Sequence, residues 1–270
     1  MLAIKNNIMA ANAARHLGTS YNALATSVER LASGLRINSA KDDAAGLAVR
    51  ELMRADIAVL QQGSRNAQDG ISLLQVAEGG MQTINNLIVR MKQLAEQAAT
   101  GTYSTAQRTI MDSEFDELSS EIERIAASAK FNNISMLNSA TGSVSVFFGG
   151  ATDTITIGMK DMTESGLGID ALSINSEASA QAALTTLDTT IDTANTARAD
   201  FGAKMNRLEN TVGVIDVQVE NLQASESRVS DVDVATEMAA MTRNQVLAQA
   251  GISMLAQANA MPQMALALLR

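Results

Sequence analysis

Few residues in this chain could do acid–base, nucleophilic or metal chemistry. There is one histidine, His16, and no cysteine. A thiol nucleophile, a disulfide framework, a cysteine-ligated zinc and a three-histidine zinc site are therefore excluded within one chain. A Ser-His-Asp triad would have to use His16, which lies on a polar helix face and reads as a surface or interface side chain. No Gly-x₄-Gly-Lys-Ser/Thr, His-Glu-x-x-His or Gly-x-Ser-x-Gly run occurs. Gly166-x-Gly168 follows no convincing strand and reads as a loop. Asp231-x-Asp233 lacks the rest of a calcium loop and reads as negative charge at a helix N-terminus. The 15 methionines are adaptable packing for helix seams rather than ligands. No cofactor or metal is called for, and the chain does not read as an enzyme. The remaining chemistry is association, carried by apolar side chains at helical spacing.

The elements that would position those side chains are long helices. Of 270 residues, 45 are alanine and one, Pro262, is proline; residues that lose little on entering a helix dominate and almost nothing interrupts them. Leu17, Tyr21, Leu24, Val28, Leu31 and Leu35 step by 4, 3, 4, 3, 4, a heptad seam. A second stretch starts near Asp43 and Ala44 and runs through Ile84, Leu87, Met91, Leu94 and Ala98. Gly79-Gly80 inside it marks a weak point. Ser104-Thr105-Ala106-Gln107 has the capping-box form and opens a third helix with Met111, Phe115, Leu118, Ile122 and Ile125. Two alternating runs, Val144-Val146-Phe148 and Ile155-Ile157-Met159, flank Gly149 to Asp153 and predict one β-hairpin. From about Ser176 helical spacing resumes through Leu184, Leu187, Ile191, Phe201, Leu208 and Ile215. Over 179–225 that is a helix of roughly 70 Å, natural in a rod. Val234, Met238, Met241, Ile252 and Leu255 give a last seam.

The predicted fold is mainly α: a long antiparallel helical rod with terminal helices paired as a coiled coil and one small β-hairpin. Residues 1–42 with 228–270 form a terminal-helix assembly domain, and 43–227 a rod domain with the hairpin at about 142–160. Charge divides the same way. Residues 1–42 carry +3 and 228–270 carry 0, so of the total −9 the middle holds −12. No basic stripe with interleaved aromatics exists to neutralise phosphates, so nucleic acid is not a partner. No cleavable signal or N-terminal anchor is supported. Asn244 to Leu269 has no charge, but recurring Asn, Gln and Ser make it an assembly helix rather than a membrane span.

Two long motifs carry a family resemblance. Ser33-Gly34-Leu35-Arg36-Ile37-Asn38-Ser39-Ala40-Lys41-Asp42-Asp43-Ala44-Ala45-Gly46-Leu47-Ala48 resembles the N-terminal signature of bacterial flagellins. Asn244-Gln245, Leu247-Ala248-Gln249-Ala250-Gly251, Leu255-Ala256-Gln257-Ala258-Asn259 and Pro262-Gln263 with Leu268-Leu269-Arg270 resemble their C-terminus. The resemblance covers nearly the whole chain, and 131–175 is too short for the outer domains of larger members. It implies a structural subunit of the extracellular flagellar filament. Such subunits are exported unfolded through a type III channel and assembled at the tip, with an export chaperone, a filament cap and hook-associated proteins as partners.

The resemblance implies roles for particular residues. Leu17, Tyr21, Leu24, Val28, Leu31, Leu35, Val234, Met238, Met241, Ile252, Leu255, Leu268 and Leu269 fall on the inner assembly helices. Ile88-Val89-Arg90-Met91-Lys92-Gln93-Leu94 is similar to the run recognised by Toll-like receptor 5, with Glu114 a further acidic contact. Gln93 replaces a glutamate there and weakens the match. Arg90, Leu94 and Glu114 are also implied to form the lateral interface between protofilaments. Leu266, Leu268 and Leu269 resemble the pattern sensed by inflammasome receptors. The alternatives are a hook–filament junction protein, an enzyme built on His16, and an export-related coiled-coil chaperone.

Overall fold

The computed structural model describes residues 6–150 and 152–268, with only the backbone described at 262, 263 and 265–268. The fold is mainly α. Helix α1 (Ile8–Ser33) is followed by α2 (Ala44–Ala99), α3 (Thr105–Ser128), strands β1 (Lys130–Phe131) and β2 (Ile134–Ser135), and β3 (Ser143–Phe147) and β4 (Thr154–Gly158). One-turn α4 (Glu164–Leu167), then α5 (Glu177–Ser230) and α6 (Val234–Leu268), complete the order. The chain divides into two compact units, Ala58–Glu220 and Met1–Ile57 with Asn221–Arg270.

The Ala58–Glu220 unit holds the hydrophobic core, whose members all lie between Ala67 and Leu208. The heptad residues Ile84, Met91, Leu94, Phe115, Ile122, Leu187 and Phe201 are buried there. Helices α2 and α3 run antiparallel, tied by Arg108 Nε donating to the Ala98 carbonyl at 2.8 Å. α2 and α5 are antiparallel as well: Arg198 pairs with Glu78 at 2.6 Å and Lys92 with Asp188. The capping box at Ser104 and Gln107 forms as its sequence predicts. Helix α2 runs unbroken through Gly79-Gly80. Gly80 faces Leu137 and Ala129, where a Cβ would lie 3.0 and 3.2 Å away, whereas Gly79 faces open space. Gly80 thus lies at a close approach of side chains, and the pair does not interrupt the helix.

The expected hairpin is β3–β4, with Val144 opposite Ile157 and Val146 opposite Ile155, so one face buries Val146, Ile155 and Ile157. It is not the only one among the described residues. β1–β2 is a second, two-residue hairpin whose turn residues Asn132 and Asn133 have φ of 47° and 64°. Strands this short show no alternation; the Asn-Asn pair, tolerant of left-handed backbone, is the only signal. Gly166-x-Gly168 is likewise not a plain loop. It lies in α4, N-capped by Thr163 and ended by Gly168 at φ 68°.

Candidate assembly surface

The flagellin-like N-terminal run is a set of local solutions to turning the chain from α1 into α2. Gly34 ends α1 in the left-handed region at φ 73°, donating to the Arg30 carbonyl. The Asp42 carboxylate accepts from Asn38 N, Ser39 N and Ser39 Oγ, which holds its pKa below the ordinary aspartate value, the Ser39 backbone bond being the largest cause. Asp43 accepts from Gly46 N at 2.9 Å at the start of α2. A Cβ on Gly46 would lie within 2.6 Å of both the Asp43 carboxylate and Ile37, whose side chain is buried. Buried Arg50 donates to the Ile37 carbonyl at 2.8 Å. This connector is clasped to the one between α5 and α6: Arg36 N donates to Ser230 O at 2.7 Å, and Val232 N to Gly34 O at 3.1 Å. Arg54 and Glu226 add an ion pair at 2.5 Å.

Beyond the clasp, α1 packs against α6. Gly34 bonds Val232, Arg30 faces Glu237 at 3.6 Å, Gly251 abuts Leu17, and Asn7 reaches Ala258. One numbering ascends as the other descends, so the pair is antiparallel. The inward positions step by 3 and 4: Ala13, Leu17, Ser20, Leu24, Ser27 and Leu31 on α1, and Met241, Asn244, Ala248, Gly251, Leu255 and Ala258 on α6. Every second inward residue on α1 is therefore small, and Ala248, Gly251 and Ala258 are small on α6. They let the backbones approach but bury little apolar area, roughly 25 cal/mol per Å² of it.

The sequence-derived seams consequently divide. Leu17, Leu24, Leu31, Met241 and Leu255 face the intrachain seam. Leu35 lies beyond the end of α1, in the clasp opposite Asp231. Tyr21, Val28, Val234, Met238 and Ile252 are 45–59% exposed, joined by Ile8, Met9, Val246, Leu247, Met254 and Met264. Leu269, and the side chains of Leu266 and Leu268, lie outside the described residues. On α2 and α3, Arg90 Nε and Nη2 both donate to Glu114 Oε1, at 3.0 and 2.6 Å, in an exposed pair. Leu94 does not join them at the surface. It is 2% exposed, because its heptad position turns it into the core with Met91 and Ala98. Val89 and Ile110 are among the exposed apolar side chains of these helices, with Val49, Leu52, Val59 and Val76.

Asp233 begins α6, accepting from Ala235 N and Thr236 N and from Thr236 Oγ1 at 2.6 Å. These bonds, the Thr236 hydroxyl first, hold its pKa below the ordinary 3.8. A folded pKa below the unfolded one contributes stability above the unfolded value, and that stability is lost as pH falls through the folded pKa. Protection of the Thr236 amide, relative to its intrinsic exchange rate, should therefore fall on acidification below about pH 4. The fall should be absent in Asp233→Asn, which caps without a titrating charge.

His16 is an exposed residue of α1. Among the described residues, no group of three His, Asp or Glu side chains is placed to hold a metal ion. No helix of the described residues is long and apolar enough to cross a membrane.

Residues 4–141 match the bacterial flagellin N-terminal helical region and residues 184–269 the C-terminal helical region. Flagellin FlaB2 of Treponema pallidum is 43% identical, and a flagellin of Halalkalibacterium halodurans 41%, each alignment covering 99% of both chains. A flagellin of Bacillus subtilis is 38% identical with the same coverage. A crystal structure of Bacillus cereus flagellin superposes with a TM-score of 0.51 at 31% identity, covering 60% of this chain and 94% of that one. A protein described as flagellar hook-associated, from Vibrio parahaemolyticus, reaches a TM-score of 0.58 at 16% identity and shares the fold alone. With both terminal regions matched and relatives near 40% identity along the full length, the chain belongs to the bacterial flagellin family.

Proposed function

We propose that this chain is the repeating subunit of a flagellar filament, exported and assembled outside the cell. The observation that carries the reading is a second apolar face on α1 and α6: the intrachain seam takes Leu17, Leu24, Leu31, Met241 and Leu255 but leaves Tyr21, Val28, Val234, Met238 and Ile252 outside. A lone coiled coil buries its large side chains; a pair that exposes them is completed by further copies. Tyr21, Val28, Val234, Met238 and Ile252 then contact neighbouring subunits, and the −12 middle segment faces solvent. Until assembly, so apolar a surface needs a chaperone. The full-length relatives named as flagellins favour a filament subunit over a junction protein. The test is salt-induced polymerisation of the purified chain onto filament fragments, followed by electron microscopy. Long tubes are expected, and the absence of growth even with seeds would refute the reading.

A second reading concerns host detection, favoured by the exposure of Arg90 and Glu114 in one ion pair. With Leu94 buried, a Toll-like receptor 5 contact would rest on these two and on Val89. An exposed pair contributes at most about 1 kcal/mol to folding. Arg90→Ala should leave the circular dichroism spectrum unchanged while raising the concentration needed to activate receptor reporter cells about tenfold, equivalent to ~1.4 kcal/mol of binding. An unchanged dose response would exclude the patch.

A further inference from the structure

We propose that Asn7 pins the end of α1 that lies away from the clasp to α6, by supplying the hydrogen bond that Pro262 withholds. In an α-helix the carbonyl of residue 258 accepts from the N–H of residue 262. Helix α6 runs Val234–Leu268, straight through that position, and residue 262 is a proline, which has no N–H. Ala258 is 9% exposed, so its carbonyl is largely shut off from water as well. A buried carbonyl left without a donor is costly. Asn7 Nδ2 donates to it at 2.7 Å, across 251 residues of sequence.

The other end of the same amide is also engaged. Asn7 Oδ1 accepts from Ala10 N at 3.1 Å and so N-caps α1. One side chain therefore satisfies an orphan donor at the start of one helix and an orphan acceptor inside another.

The clasp and the Arg30–Glu237 ion pair hold α1 to α6 at one end. Towards Asn7 the seam offers only Ala13 and Leu17 against Gly251, Leu255 and Ala258, little apolar area to keep the helices together. A polar contact there holds the end of the pair. Because the chain has one proline, α6 has one carbonyl deprived in this way, so the address is unique. The lock rests on the filament reading only for its consequence: a frayed pair would present Ile252 and Met254 to neighbouring copies out of place.

The test uses the full chain. Asn7→Asp keeps an oxygen to cap α1 but has no N–H to give, and Pro262→Ala returns to Ala258 its own helical donor. In seeded growth, Asn7→Asp should raise the critical concentration about tenfold. The double variant should return to within about twofold of Pro262→Ala alone. Pairing at this end is read directly by a cysteine pair, the natural chain having none. A Cβ on Gly251 would lie 3.6 Å from the Leu17 Cβ, within disulfide range. Leu17→Cys with Gly251→Cys should crosslink readily in the purified subunit. Asn7→Asp should slow that crosslinking about tenfold, and Pro262→Ala should restore it. Wild-type growth and crosslinking by Asn7→Asp, or equal defects in both proline backgrounds, would each overturn the lock. Failure of the unmodified chain to polymerise would instead overturn the filament reading.

Discussion

Ile252→Lys is expected to abolish filament growth while leaving the isolated subunit intact. Ile252 is 50% exposed on α6, beside the inward Gly251. In the lone subunit the lysine ammonium can reach water, so the change in unfolding free energy should stay within about 0.5 kcal/mol. In the proposed assembly the same position would be covered by a neighbouring copy. There the substitution forfeits about 1.5–3 kcal/mol of isoleucine burial, and an unpaired buried ammonium adds about 3–5 kcal/mol. Even a net loss of about 4 kcal/mol raises the critical concentration roughly a thousandfold. Sedimentation after seeding gives the critical concentration, and urea unfolding of the subunit gives the control. Ile252→Val should grow nearly normally. If Ile252→Lys unfolds the subunit, or elongates filaments like the natural chain, the outward face of α6 is not the assembly surface.

The periodicity of the sequence made the helices, the main hairpin and the core legible, because each depends on spacing over many residues. Which side of a terminal helix faces its partner was legible only in part: Leu17, Leu24 and Leu31 lie on the seam, and the heptad residues between them do not. Reading bulky apolar residues as the seam selects Tyr21 and Val28, whereas the intrachain layers at those heights are Ser20 and Ser27. Binary patterning identifies what will be buried in the end, not which partner buries it, and a subunit destined for a polymer separates the two questions. Leu94 shows the complement. Its family motif makes it a surface contact while its heptad makes it core, and the heptad prevails because burial of a leucine is worth about 2 kcal/mol. The Asn7 bond escaped notice because no local pattern relates a residue near the chain start to a carbonyl four residues before Pro262. It becomes visible only once backbone donors and acceptors are accounted for pair by pair.

The same substitution at two glycines of α2 should have opposite signs. Gly79→Ala replaces the worst common helix former by the best where nothing lies within 4 Å, so the subunit should gain up to about 1 kcal/mol. Gly63→Ala earns the same helical increment but meets the main hairpin. Its Cβ would stand 2.4 Å from the Phe148 carbonyl oxygen, 2.5 Å from the carbonyl carbon and 2.6 Å from the Cα. These are backbone atoms and cannot rotate aside, so the chain following β3 must lift from α2. Lifting strains the Asn66 Nδ2 bond to the Phe147 carbonyl, now 2.9 Å, a contact of about 1 kcal/mol. It also loosens the burial of Val146 and Ile155. Overpacking of this kind costs about 1–3 kcal/mol, so the balance is a destabilisation of about 2 kcal/mol, with sign opposite to Gly79→Ala. Urea unfolding of both variants decides the matter. A stabilised Gly63→Ala would mean that the hairpin does not rest on α2, because only that contact turns a favourable helix substitution into a harmful one.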